Sequence, residues 1–269
     1  MTGYNNNPIG IFDSGIGGLS VFKELKKYLP SESFIYFADS INAPYGSKTS
    51  EEILELSEKI VKFLLVYKVK LIVVACNTVT AHAIKTLREN FSIPFVGMEP
   101  AVKPAALNTK TKHIGVLATA GTLKGNHFAQ TTKTFANGIY VHTQVGEGLV
   151  QAVESGDFNS QNIRSILQEY IVPMVKQNID HLVLGCTHYP FLCNQIKEII
   201  GQKKITIINP AEPVALHTKN LLRRSNLQCN TNLHPRYQFF TTGEKTIMEK
   251  LILQTNIKTQ PEVFKIKPL

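Results

Sequence analysis

The chain contains no apolar run approaching the roughly 20 residues that span a bilayer. Its first eight residues, Met1 to Pro8, are polar and rich in asparagine, without the basic opening and apolar core of a secretory leader. Membrane insertion and export are therefore not expected, and the cytoplasm is the expected compartment. Cysteine is scarce: the four are Cys76, Cys186, Cys193 and Cys229, and they lack the close pairing typical of zinc sites. In a reducing compartment they are expected to stay free thiols. No long block of one charge sign occurs either. The net charge is +9, from 29 Lys and Arg against 20 Asp and Glu, but the basic residues are scattered, with short clusters at Lys23-Lys26-Lys27, Lys110-Lys112, Lys203-Lys204 and Arg223-Arg224. This distribution fits a solvated surface that attracts anions better than a nucleic-acid interface.

What is present is a core, with 43% apolar residues, and a regular alternation of two patterns. Short buried runs read as strands at 8–12, 34–38, 70–75, 95–98, 113–118, 140–144, 181–185, 205–208 and 237–241. Between them lie helical patterns at 19–28, 49–67, 78–89, 122–134, 149–155, 162–177, 191–200, 213–224 and 244–253. Thr49 with Glu52 forms a capping box for the second helix. Strands alternating with helices at this spacing predict a parallel α/β fold. The pattern restarts near 113, so two similar α/β lobes are expected, with the destination of the last segment left open.

Two of the strands end alike. Leu71-Ile72-Val73-Val74-Ala75 runs into Cys76-Asn77-Thr78, and Leu182-Val183-Leu184-Gly185 runs into Cys186-Thr187-His188. In open parallel sheets ligands collect beyond the carboxyl ends of the strands. Asp13-Ser14, Pro44-Tyr45-Gly46, Thr119 and both cysteines all fall just past such ends, so a shared cleft is expected. A thiol at a helix N-terminus is expected to have a lowered pKa. Two matched thiols suggest proton transfer, one removing a proton from carbon and the other returning one on the opposite face. Asp13 and His188 are placed to serve one thiol each, and Ser14, Asn77, Thr78, Thr119 and Thr187 are candidate donors to the developing charge. Cys193 and Cys229 have no such setting and are expected to be structural.

Other readings compete. One nucleophilic cysteine with His188 as its base would give acyl transfer, and a non-catalytic binder of small acids would use the same donors. Gly15-Ile16-Gly17-Gly18-Leu19-Ser20 after a strand is close to a dinucleotide fingerprint, but Ser20 replaces the third glycine and Asp13 would repel a pyrophosphate. Cys76 with His82, or Cys186 with His188, would make a poor zinc set.

The motifs Asp13-Ser14-Gly15-Ile16-Gly17-Gly18-Leu19, Pro44-Tyr45-Gly46, Cys76-Asn77-Thr78, Ala118-Thr119-Ala120-Gly121-Thr122 and Gly185-Cys186-Thr187-His188-Tyr189-Pro190 together resemble the glutamate racemases, within the cofactor-independent aspartate/glutamate racemase superfamily. The resemblance implies two flavodoxin-like lobes with parallel sheets and the active site between them. It also implies a homodimer, and interconversion of L- and D-glutamate for peptidoglycan without a cofactor or metal. It assigns Cys76 and Asp13 to the D-enantiomer and Cys186 and His188 to the L-enantiomer. Ser14, Tyr45, Gly46, Asn77, Thr78, Thr119, Thr122, Thr187, Asp13 and His188 map onto substrate-binding positions. Where the family often has Cys-Pro before a Val-Glu-x-Gly segment, this chain has Val145-Gly146-Glu147-Gly148 before Val153-Glu154-Ser155-Gly156. Glu154 is the candidate auxiliary carboxylate. The implied division is 1–98 and 99–208 for the lobes, with 209–269 returning to the first.

Overall fold

The nine apolar runs become strands because each is short, rich in β-branched and aromatic residues, and closed by turn formers. The computed structural model of the protein describes residues 5–98, 101–229, 234–255 and 262–269. Its strands are β1 (Ile9–Asp13), β2 (Phe34–Ala38), β3 (Leu71–Val74), β4 (Phe95–Gly97), β5 (His113–Ala118), β6 (Tyr140–Val145), β7 (His181–Gly185), β8 (Thr206–Ile208), β9 (Tyr237–Thr241) and β10 (Glu262–Lys265). The helices are α1 (Leu19–Tyr28), α2 (Ser50–Val66), α3 (Asn77–His82), α4 (Ile84–Asn90), α5 (Val102–Asn108), α6 (Ala120–Lys124), α7 (Asn126–Phe135), α8 (Leu149–Glu154), α9 (Gln161–Lys176), α10 (Cys193–Ile200), α11 (Ala211–Arg224) and α12 (Lys245–Leu253).

The strands form two sheets, ordered β10-β9-β2-β1-β3-β4 and β6-β5-β7-β8. Every pairing is parallel. The fold is therefore α/β with two parallel sheets, as the alternation predicts. Strands β1, β2 and β3 are buried along their whole length, which is why they read as continuous apolar runs rather than alternating ones. The order β2-β1-β3-β4 in one sheet is repeated as β6-β5-β7-β8 in the other. In each, winding reverses at the first strand, and a crevice opens between the carboxyl ends of β1 and β3 and of β5 and β7. Both cysteine motifs leave the sheet at such a point.

One apolar cluster joins the sheets, running from Ile9, Ile11 and Phe22 through Leu149 and Val153 of α8 to Leu182 and Leu184 of β7. The capping box of α2 is present: Thr49 Oγ1 accepts from Glu52 N–H at 3.2 Å, and Glu52 Oε2 accepts from Thr49 N–H at 2.7 Å. Among the described residues no helix is long and apolar enough to cross a membrane, and all four cysteines are free.

The structure differs from the sequence pattern in four places. The helix expected over 78–89 breaks at Ala83, whose φ of −121° leaves the helical region. The helix expected over 122–134 breaks at Gly125, which is extended and lies so close to α3 that a Cβ there would fall 2.7 Å from Ala81 Cβ. Helix α5 was hidden by Pro104, which its first turn tolerates because the missing N–H has no partner there. Strand β10 is only four residues long, and its pairing with β9 rather than its own pattern makes it a strand.

Candidate active site

β1 delivers Asp13 to the crevice, and the turn that follows wraps around its carboxylate. Ser14 N–H donates to Oδ1 at 2.8 Å, Gly18 N–H to Oδ2 at 2.6 Å, and Thr187 Oγ1, from the loop after β7, to Oδ2 at 3.1 Å. Asp13 is fully buried. That burial pushes its pKa up to about 6, with the nearby His188 pulling down and Glu154 adding to the rise.

Cys76 sits at the N-cap of α3, its Sγ 3.7 Å from Ser14 Oγ. The expectation of a lowered thiol pKa is overturned here. Burial drives the Cys76 thiol well above its ordinary value, the charge of Asp13 adds to this, and the Val79 N–H at the start of α3 opposes it too weakly to win. A six-residue helix offers a few amide dipoles, whereas burial removes the whole hydration of a thiolate. Cys76 therefore rests as the thiol, with the carboxylate of Asp13 beside it as a proton acceptor.

On the other side, β7 ends at Gly185 and presents Cys186. His188 Nδ1 lies 3.7 Å from Cys186 Sγ, and Nε2 lies 2.6 Å from Glu154 Oε1. The same oxygen accepts from Ile16 N–H at 2.7 Å, which fixes the carboxylate at the end of α8. Burial opposes charge on His188, but the Cys186 sulfur and Glu154 outweigh it and hold the imidazole pKa well above its ordinary value. Protonated, the ring donates through both nitrogens, toward the thiol and toward Glu154. Glu154–His188–Cys186 is thus a continuous proton path. Glu147, the other acidic residue of that segment, is exposed at the mouth of an outer cavity shared with Gly46 and Thr119.

The glycine-rich turn after β1 owes its composition to this path. A Cβ on Gly15 would fall 1.9 Å from Glu154 Oε1, and one on Gly17 would fall 2.2 Å from His188 Nδ1. The turn is a floor for two side chains, and that accounts for the glycines without a bound phosphate. His82 is likewise unavailable as a partner of Cys76 for zinc, because its ring nitrogens lie 2.9 Å from Ser50 Oγ and 2.9 Å from the Gly121 carbonyl.

Of the residues singled out from the sequence, Ser14, Tyr45, Gly46, Cys76, Asn77, Thr78, Thr119, Thr122, Cys186, Thr187 and His188 line one small, tightly closed cavity. Asp13 and Glu154 stand behind them, each hydrogen-bonded to a lining residue. Asn77 is the most exposed to consequence: both its amide atoms are buried and have no partner among the described residues. An unpaired buried amide costs about 1–3 kcal/mol, so it is a site prepared for a polar ligand. The hydroxyls of Thr78, Thr119 and Thr122 form a chain with spacings of 3.0 and 2.9 Å. The hydroxyl of Tyr45 donates to Asp39 Oδ2 at 2.6 Å, so its contribution to the cavity is its ring and backbone. The sequence reading missed Pro44, Val150 and Gly185 as lining residues. Pro44 stood within a motif already noted, while an aliphatic residue such as Val150 carries no chemical signal. Cys193 and Cys229 do not line the cavity; Cys229 donates through Sγ to the Ser31 carbonyl at 3.0 Å.

A sequence model of the Asp/Glu/hydantoin racemase family matches residues 9–217. The glutamate racemase of Herpetosiphon aurantiacus is 43% identical over 246 residues, covering 91% of this chain and 96% of that protein. The glutamate racemase of Cupriavidus pinatubonensis is 38% identical over 269 residues, covering 100% of this chain and 98% of that protein. Among solved structures, a glutamate racemase isoform of Bacillus anthracis superposes with a TM-score of 0.86 at 34% identity, covering 98% of both chains. The glutamate racemase of Francisella tularensis, in complex with D-glutamate, superposes with a TM-score of 0.82 at 30% identity, covering 97% of this chain and 98% of that one.

Proposed function

Because the chain belongs to the Asp/Glu/hydantoin racemase family and is an amino-acid racemase, we propose that its substrate is glutamate, inverted at the α-carbon by Cys76 and Cys186 acting from opposite faces. One observation carries this reading. Two thiols from equivalent strand ends line a single cavity, and each has its own proton-handling partner: Asp13 behind Cys76, and His188 with Glu154 behind Cys186. The D-glutamate bound in the Francisella tularensis structure supports the substrate.

In the D to L direction, Asp13 accepts the Cys76 proton as Cys76 attacks the α-proton. The C–H bond breaks and its electron pair passes into the carboxylate as an enediolate. Cys186 then gives its S–H proton to the α-carbon from the other face and is reprotonated through His188. The L to D direction reverses each step. Removing a proton beside a carboxylate demands preorganised donors where the negative charge grows. The unpaired amide of Asn77 and the hydroxyls of Ser14, Thr78 and Thr187 are in reach of one small substrate in this cavity. Each positioned acid or base is worth about 10²–10⁴ in rate. Every proton carrier in this scheme belongs to the chain, so turnover is expected without added metal or pyridoxal phosphate.

The proposal extends to organisation and role. Residues 1–98 and 99–208 act as two lobes around the cleft, and 209–269 completes the first sheet through β9 and β10. The protein works as a cytoplasmic homodimer and supplies D-glutamate for peptidoglycan; free thiols suit a reducing compartment. The test is solvent deuterium exchange at the α-carbon, run on L- and D-glutamate with the purified protein and no additive. Incorporation from both enantiomers is expected, and retention of protium in both by folded protein removes the reading. If Cys76→Ala or Cys186→Ala alone leaves inversion intact, a one-cysteine mechanism replaces the two-base one.

A further inference from the structure

We propose that His82, at the end of α3, is a positioning residue: a latch that holds the 119–125 segment of the second sheet's half down over the substrate cavity. Helix α3 carries Asn77 and Thr78 into the cavity at its start. At its other end, His82 Nε2 lies 2.9 Å from the Gly121 carbonyl and Nδ1 lies 2.9 Å from Ser50 Oγ, at the start of α2. A carbonyl can only accept, so the ring hydrogen is on Nε2, and the Ser50 hydroxyl donates to Nδ1. One side chain therefore ties three segments together, two from the first half of the molecule and one from the second.

The Gly121 carbonyl is available for a local reason. α6 is five residues long, and the Gly125 N–H that would continue it closes instead onto the Thr122 carbonyl at 3.3 Å. The buried face of α6 then rests directly on α3. A Cβ at Gly121 would meet Thr78 Cγ2 at 3.0 Å and the Gly46 backbone at 3.3 Å, and one at Gly125 would meet Ala81 Cβ at 2.7 Å. Side chains do little to hold two such bare surfaces together. Among the described residues the side-chain hydrogen bonds between them are the Thr78–Thr119 hydroxyl pair, which faces the cavity, and the His82–Gly121 bond, which does not.

The same α6 segment brings Thr119 and Thr122 to the site. Under this proposal substrate is admitted as α6 moves away from α3, and the His82 bond is broken on opening and remade on closing. Its free energy sets the closed fraction, and apparent affinity scales with that fraction. The inference rests on the racemase reading for its kinetic effect. It does not rest on that reading for its structural effect.

The experiment compares wild type, His82→Leu and His82→Gln by steady-state kinetics on both enantiomers and by amide hydrogen exchange. Removing one net hydrogen bond should raise KM for both by about fivefold or more, with kcat changed less than about twofold. Exchange across 119–125 should speed up by a similar factor while β1 and β3 keep their protection. The Gln amide can reach the Gly121 carbonyl, so His82→Gln should return KM and exchange to within about twofold of wild type. A purely structural role would alter unfolding without moving KM. Wild-type KM and exchange in His82→Leu overturn the latch, as does a Gln variant as impaired as Leu. Should wild type fail to turn over glutamate, the exchange comparison still decides the latch, and only the functional reading is lost.

Discussion

Replacing Asp13 with Asn probes the most heavily charged compromise in the molecule. Asp13 is completely buried and its pKa rises from 3.8 to about 6. The folded state thus binds this proton more tightly than the unfolded state, so the stability it contributes is present below about pH 4 and is lost as pH rises through about 6. With one pKa unit worth about 1.4 kcal/mol, the full loss is about 3 kcal/mol, of which about 2.4 falls between pH 4 and pH 8. Asn does not titrate. It does turn an NH₂ toward one of the donors Ser14 N–H, Gly18 N–H or Thr187 Oγ1, which costs about 1–3 kcal/mol at every pH. The variant should therefore be less stable than wild type at pH 4 and should gain on it by about 2 kcal/mol by pH 8. Urea unfolding of both proteins at the two pH values measures this. A stability difference that stays constant with pH would refute the burial argument, and with it the claim that Asp13 is held ready to take a proton from Cys76. Activity gives a second reading. Because the two enantiomers are equally stable, kcat/KM must fall equally in both directions, and only kcat and isotope exchange can reveal which half-reaction lost its base.

Glu154→Gln keeps the shape but removes the charge facing His188 Nε2, so the imidazole pKa should fall and the basic limb of the pH–rate profile should move to lower pH, with kcat down about 10–100-fold; an unmoved limb would detach Glu154 from the proton path. Gly17→Ala should drive His188 off Cys186, since its Cβ would lie 2.2 Å from Nδ1, and turnover should drop by more than about tenfold with the far-UV spectrum unchanged. Lys70→Met tests a feature remote from the chemistry. Lys70 and Glu32 form a buried pair at 2.6 Å, and breaking it should cost about 3–5 kcal/mol in urea unfolding while the folded fraction keeps wild-type kcat. A loss below about 1 kcal/mol would mean that water reaches Glu32.

Much of this was present in the order of residues. Apolar runs of strand length separated by helical periodicity specify parallel α/β architecture, because a strand covered on both faces has no polar side to show. The two Cys motifs marked the site because polar residues at the carboxyl ends of such strands have nowhere else to go. What the sequence left out is what depends on neighbours far along the chain. Strand β10 exists through its pairing with β9, and the break at Gly125 falls where Ala81 of α3 meets the junction of α6 and α7. Ser20 and Asp13 already argued against a phosphate loop in the turn after β1, but that its glycines make room for Glu154 and His188 depends on residues far along the chain. The thiol of Cys76 shows the division most plainly. Its place at a helix start, legible from sequence, lowers the pKa; its burial beside Asp13, decided only by the packing of the two halves, raises it by more. Local dipoles are fixed by adjacent residues, whereas desolvation is a sum over everything that surrounds a group, and that sum is known only once the chain has folded.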